Sequence, residues 1–180
     1  MIAIIPDILL LFFPFLMLAF KLFLTQAQTA HKNFAFAYLF ILLICQNFVL
    51  IGDTQVYFSN WQIDTFGIFM REIFTLSALL ALLLSENYFK HSMSEKPRLL
   101  HFSEFAAAIG FATFGGVAVV SANDLLTLFL GLELATIPMY ALVAWNKRDS
   151  EGTEAAIKYI LMGSVATAFE LFGFSYLYGF

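Results

Sequence analysis

Charge is scarce in this 180-residue sequence. Asp, Glu, Lys and Arg together make up 12% of it, against about a quarter in an ordinary soluble domain. Cysteine is scarcer still. Cys45 stands alone, which excludes an intrachain disulfide and any cysteine-based zinc site, and its place inside an apolar run reads as an inert buried thiol. Nine basic residues and a net charge of −4 give no hint of a nucleic-acid surface. There is no glycine-rich phosphate loop, no nucleophile elbow and no metal-ligand spacing. His31, His91 and His101 are expected in loops on one side of a membrane, without the helical spacing that would hold a metal. Gly115-Gly116 reads as a helix-packing pair.

What remains is apolar: 61% of the residues are hydrophobic and 23 are Phe. Surface-to-volume scaling does not allow a soluble domain of this size to hide so much apolar surface, so its solvent is lipid. Apolar runs cover residues 2–24, 34–51, 66–84, 105–120, 125–145 and 155–178. Each is near the ~20 residues a helix needs to cross a bilayer. The alternation of a barrel strand is absent, and only a helix satisfies its backbone within one segment. The sequence therefore predicts an all-α integral membrane protein: one bundle of about six transmembrane helices over residues 1–180. The first run has no basic residue before it and ends on Lys21, so it reads as a retained helix rather than a leader. The turn Ser121-Ala122-Asn123-Asp124 offers Asn123 or Asp124 as cap of the fifth helix, and residues 146–153 form the next turn.

Basic residues set an orientation. Lys21 and Lys32 flank the first loop, Lys90, Lys96 and Arg98 the third, and Lys147 and Arg148 the fifth. The positive-inside bias places these loops in the cytoplasm and both ends outside. Arg71 and Lys158 are then the basic residues assigned to helices.

Charge within a bilayer is costly, and such residues usually face the bundle interior and work there. Glu133 falls near the middle of the fifth helix, about 13 Å from Asp124 at 1.5 Å per residue. Thr136 and Tyr140 share its face, and Pro138 frees the carbonyl of Leu134. Such a carboxyl suits a proton relay; the alternative is a neutral, hydrogen-bonded structural Glu. Lys158 lies about one turn into the sixth helix, where it either snorkels or tunes a carboxyl. Axial arithmetic sets it about 12 Å from Glu133, so coupling needs water or a third residue. Glu170 sits mid-helix on a face of small residues, Gly163, Ala166, Thr167 and Gly173, which invites close approach of a neighbouring backbone. It reads equally as relay or structural. Arg71 and Glu72 point about 100° apart and need partners on other helices, or else sit at the outer interface near Asp64 and Trp61. Glu104 reads as interfacial.

The stretch Ser121-Ala122-Asn123-Asp124-Leu125-Leu126-Thr127-Leu128-Phe129-Leu130-Gly131-Leu132-Glu133-Leu134 resembles the fifth helix of subunit N of respiratory complex I, the proton-pumping NADH–quinone oxidoreductase. Glu154-Ala155-Ala156-Ile157-Lys158-Tyr159 resembles that subunit's sixth helix. Ile63-Asp64, Phe66 and Leu82-Leu83-Leu84-Ser85-Glu86-Asn87-Tyr88 resemble its third helix and exit loop. The resemblance covers about the last two-thirds of the chain. It implies an antiporter-like fold, with Glu133 as the mid-membrane glutamate beside a neighbouring antiporter-like subunit and Lys158 as one of a set of buried lysines. It further implies partners among the other membrane-arm subunits, and a bacterial inner membrane with a periplasmic N-terminus. No cofactor or redox chemistry belongs to such a chain, since NADH, FMN, the iron–sulfur clusters and quinone bind elsewhere in the complex. The family has about fourteen helices, so the expectation is an N-terminal part of the subunit that does not pump alone. A subunit of a multisubunit cation/proton antiporter and a non-catalytic membrane scaffold are the competing readings.

Overall fold

The computed structural model describes residues 2–23, 28–47, 55–57, 59–91, 98–145 and 150–179. A short 3-10 turn, Ile2–Ile4, leads into α1 (Ile5–Phe23), followed by α2 (Gln28–Asn47). A small hairpin of β1 (Gln55–Tyr57) and β2 (Trp61–Ile63) comes next. Then follow α3 (Thr65–His91), α4 (Arg98–Ser121), α5 (Leu125–Val143) and α6 (Ser150–Tyr178). The protein is a multi-pass all-α membrane protein. Five of these helices, all but α2, are long and apolar enough to cross a bilayer. In α2 the ends carry Gln28, Thr29, His31, Lys32 and Asn33, then Gln46 and Asn47, and residues 48–51 of the expected run lie outside the described residues.

Several boundaries depart from the apolar runs for one reason. Hydropathy marks the length that suits hydrocarbon, whereas a helix continues while its backbone ladder does. So α2 begins at Gln28 rather than at residue 34, α3 runs to His91, α4 begins at Arg98 and α6 at Ser150, while α5 stops at Val143. The expectation of loop histidines is corrected accordingly: His31 is a buried residue of α2, His91 ends α3, and His101 lies in α4. Lys32 is likewise helical and stands 5.9 Å over the Phe102 ring, a cation–π contact. Lys96, Lys147 and Arg148 lie outside the described residues.

The chain separates into two compact units, Met1–Thr136 and Ile137–Phe180. In the first, α1 packs on α4, α4 on α3, and α2 touches α1, α3 and α4. Each helix contributes one buried stripe at three- and four-residue steps. On α2 the stripe is His31, Ala35, Leu39, Leu42 and Gln46; on α3 it is Arg71, Thr75, Ala78, Leu82 and Ser85. Lipid is as apolar as Leu, so these helices hold together by van der Waals packing and interhelical polar contacts. Ser103 Oγ lies 2.9 Å from His31 Nδ1, Gln46 Nε2 donates to Thr75 Oγ1 at 3.1 Å, and Lys21 pairs with Glu104. Glu104 is thus an ion-pair partner between α1 and α4.

The contact between α4 and the first part of α5 depends on two glycines. A Cβ at Gly115 would collide with the backbone of Ala135, and one at Gly131 would stand 2.8 Å from Val119 N. Only hydrogen at both positions lets the two backbones approach this closely. The expected packing role of Gly115 is borne out.

Candidate functional site

The joints between elements position the charged side chains. Asp64 caps α3: its Oδ1 accepts from Gly67 N at 2.6 Å. Asp124 caps α5 in the same way, with Oδ1 accepting from Thr127 N at 2.7 Å and Oδ2 from Thr127 Oγ1 at 2.9 Å. These bonds hold the Asp124 carboxyl below the ordinary aspartate range, the backbone N–H of Thr127 foremost. Its neighbour Asn123 fastens the turn to the hairpin: Nδ2 donates to Ser59 O at 2.8 Å, and the backbone N–H to Asn60 O at 3.0 Å. Ser59 takes φ 66°, the left-handed conformation that closes the hairpin. Tyr57 pairs with Trp61, and Trp61 bridges to Ala122. The expected cap of the fifth helix is present, on Asp124.

The hairpin carries Trp61 onto a buried ion pair. Arg71 Nε lies 3.0 Å from Asp7 Oδ1, and each side chain is 3% exposed. Trp61 Nε1 donates to Asp7 Oδ2 at 3.0 Å. Arg71 Nη2 donates to Ser121 Oγ at 2.6 Å and reaches Gln62 O at 3.4 Å. Arg71 was expected either to find a partner on another helix or to lie near Asp64 and Trp61; it finds the partner, a carboxylate from α1, and is buried close to both of those residues. Sequence reasoning passed over Asp7. Its signal was present: it is the acidic residue of the first apolar run and shares a stripe with Leu10, Pro14 and Met17, as Arg71 does with Thr75, Ala78 and Leu82.

Glu133 lies in α5 within the first unit, half-buried and engaged with its surroundings. Thr136 directs its hydroxyl to the carbonyls of Leu132 and Glu133, at 3.0 and 3.3 Å, so its proton serves its own helix. Helix α5 continues through Pro138.

In the second unit Lys158 is exposed and pairs with Glu154 one turn earlier. Tyr140 and Tyr159 meet edge to face at 4.7 Å. Glu170 is half-buried. Its small-residue face receives a side chain rather than a neighbouring backbone: the Tyr140 ring lies over Gly163, and Gly173 has nothing within 4 Å among the described residues.

Residues 122–180, the turn together with α5 and α6, match the family model described as NADH:quinone oxidoreductase/Mrp antiporter, transmembrane. This chain is related to part of subunit N of the NADH-quinone oxidoreductases. It is 37% identical over 159 residues to NADH-quinone oxidoreductase subunit N of Heliobacterium modesticaldum, covering 87% of this chain and 32% of that one. Against subunit N of Desulfovibrio desulfuricans the identity is 44% over 109 residues, 60% of this chain and 20% of the relative. A chloroplastic NAD(P)H-quinone oxidoreductase subunit 2 from Chlorokybus atmophyticus is 35% identical over 142 residues, 76% of this chain and 27% of the relative. The chain thus spans about a third or less of the length of these relatives. The family match includes Glu133, Lys158 and Glu170 and leaves Asp7 and Arg71 outside it.

Proposed function

We propose that this chain is part of a membrane subunit of a proton-translocating NADH–quinone oxidoreductase, and that Glu133 is a protonatable group on its ion path. The supporting observation is a carboxyl half-buried in a helix able to cross a bilayer, inside the stretch that matches the antiporter-like family. A carboxyl taken from water into this setting responds strongly to nearby charge: an approaching cation favours the ionised form, and its withdrawal favours proton uptake. That response couples charge movement along a membrane arm to proton transfer.

On this reading Lys158 supplies the tuning charge, and its pair with Glu154 is one of the partners it exchanges. Glu170 is a further carboxyl in the same helix. The partners are other membrane-arm subunits, among them a neighbouring antiporter-like one. Electron transfer from NADH to quinone takes place elsewhere in the complex, and this chain carries no redox group. The basic loops face the cytoplasm of a bacterial inner membrane and the N-terminus faces the periplasm.

The test is removal of the chain from its native membrane, then complementation with wild type. The expected outcome is loss of uncoupler-sensitive proton uptake linked to NADH oxidation, restored on complementation. Sodium-dependent transport without NADH oxidation would transfer the chain to the cation/proton antiporters. Reduced assembly with normal pumping per assembled complex would make it a scaffold.

A further inference from the structure

Beside the Asp7–Arg71 pair lies a cavity of about 10 Å³, lined by Ala3, Pro6, Asp7, Gln46, Ile68 and Arg71. Three helices meet there, α1, α2 and α3, and each contributes one polar side chain. The hydrogen bonds around Gln46 fix the orientation of its amide. Thr75 donates its hydroxyl proton to Arg71 O at 2.9 Å, so its oxygen must accept from Gln46 Nε2 at 3.1 Å. Gln46 Oε1 is therefore the other end of the amide. It is buried and has no partner among the described residues, and the same is true of Arg71 Nη1. A buried acceptor and a buried donor left open in a lipid-embedded bundle are costly. Gln46 and Arg71 both line the cavity.

We infer that this cavity is a binding site for a single ordered water molecule, which ties α1, α2 and α3 together through Asp7, Gln46 and Arg71. The volume fits, since a water needs roughly 10–15 Å³ measured this way. The chemistry fits as well. The water accepts from Arg71 Nη1 and donates to Gln46 Oε1 and to the free lone pair of Asp7 Oδ1, three bonds in all, which is typical of buried water. A metal cation fits poorly, because the Arg71 guanidinium lines the same space and already balances the charge of Asp7 at 3.0 Å. The site is independent of Glu133 and of the proposed function. Its consequence is mechanical: with the water in place Arg71 is held from four sides, by Asp7, Ser121, Gln62 and the water, and is a fixed charge rather than a mobile one.

A density map of the chain in its native membrane assembly, at a resolution that shows ordered water, decides this. The map is recorded in sodium buffer and again in choline buffer. The expected result is one peak within about 3.2 Å of both Gln46 Oε1 and Arg71 Nη1, unchanged by the cation and lost in Gln46→Met. An empty cavity in the wild type, a peak that vanishes with sodium, or a peak that survives in Gln46→Met would each overturn the assignment. The two wild-type maps remain decisive even where the variant fails to assemble.

Discussion

Removing one member of the Asp7–Arg71 pair should destabilise the first unit severely, and removing both should largely repair it. The partners are 3.0 Å apart and almost wholly buried, so Arg71→Met leaves a buried carboxylate without its counter-charge. Breaking a buried pair from one side costs about 3–5 kcal/mol, whereas exchanging both members for apolar residues of similar volume is often close to neutral. The single change also removes the donor to Ser121 Oγ, which keeps its own bond to Val117 O, and leaves Trp61 Nε1 bound to a carboxylate that has lost its counter-charge. On the folding equilibrium, 3–5 kcal/mol is a factor of about a hundred to several thousand. The assay is a double-mutant cycle with Arg71→Met, Asp7→Leu and the double variant, each full chain unfolded from lipid–detergent micelles by a denaturing surfactant. The double variant should be more stable than either single one, with a coupling energy of about 2 kcal/mol or more. Two small effects that simply add would show that the pair is not closed as described, and the reasoning about Arg71 would fail.

The remaining predictions concern joints and helix contacts. Asp124→Asn should flatten the pH dependence of unfolding on the acid side. The folded carboxyl titrates below its ordinary value, so its contribution is complete above the usual aspartate range and is lost as pH falls through the lowered value. An identical acid profile in the variant would remove Asp124 as the titrating cap. Gly115→Ala should cost about 1–3 kcal/mol through collision with the Ala135 backbone. Gly173→Ala, with open space around it, should be neutral or stabilise α6 by up to about 1 kcal/mol; equal effects at the two positions, read by the same unfolding assay, would contradict the described crossing. Glu154→Gln should change stability by under 1 kcal/mol, because its pair with Lys158 is exposed. A larger loss would mean that Lys158 is held in place by that carboxylate.

The helices were legible because lipid demands long apolar runs, and the cap at Asp124 because a short acidic side chain before Leu125 has one obvious backbone partner. Gly115 was legible from its size alone. The hairpin was not. Its strands are three residues each, the turn around Ser59 uses neither Asn-Gly nor Asp-Gly, and it is fixed from outside by Asn123. The early start of α2 was hidden because His31 and Lys32 are polar, yet one is satisfied by Ser103 and the other lies on Phe102. Asp7 and Arg71 were hidden by distance in sequence. Asp7 drew no reading of its own and Arg71 had no evident partner, and only the packing of the helices brings the two together. Glu133 was found by the opposite logic, since a carboxyl in mid-run needs no partner to be conspicuous.

The proposed transport role depends on the α5 carboxyl. Its most direct test is the number of protons translocated per NADH oxidised by the assembled complex carrying Glu133→Gln, compared with Glu133→Asp. The expected result is a reduced ratio for Gln with assembly intact, and substantial recovery for Asp, which keeps an ionisable group one methylene shorter. A wild-type ratio in fully assembled Glu133→Gln complex would contradict it.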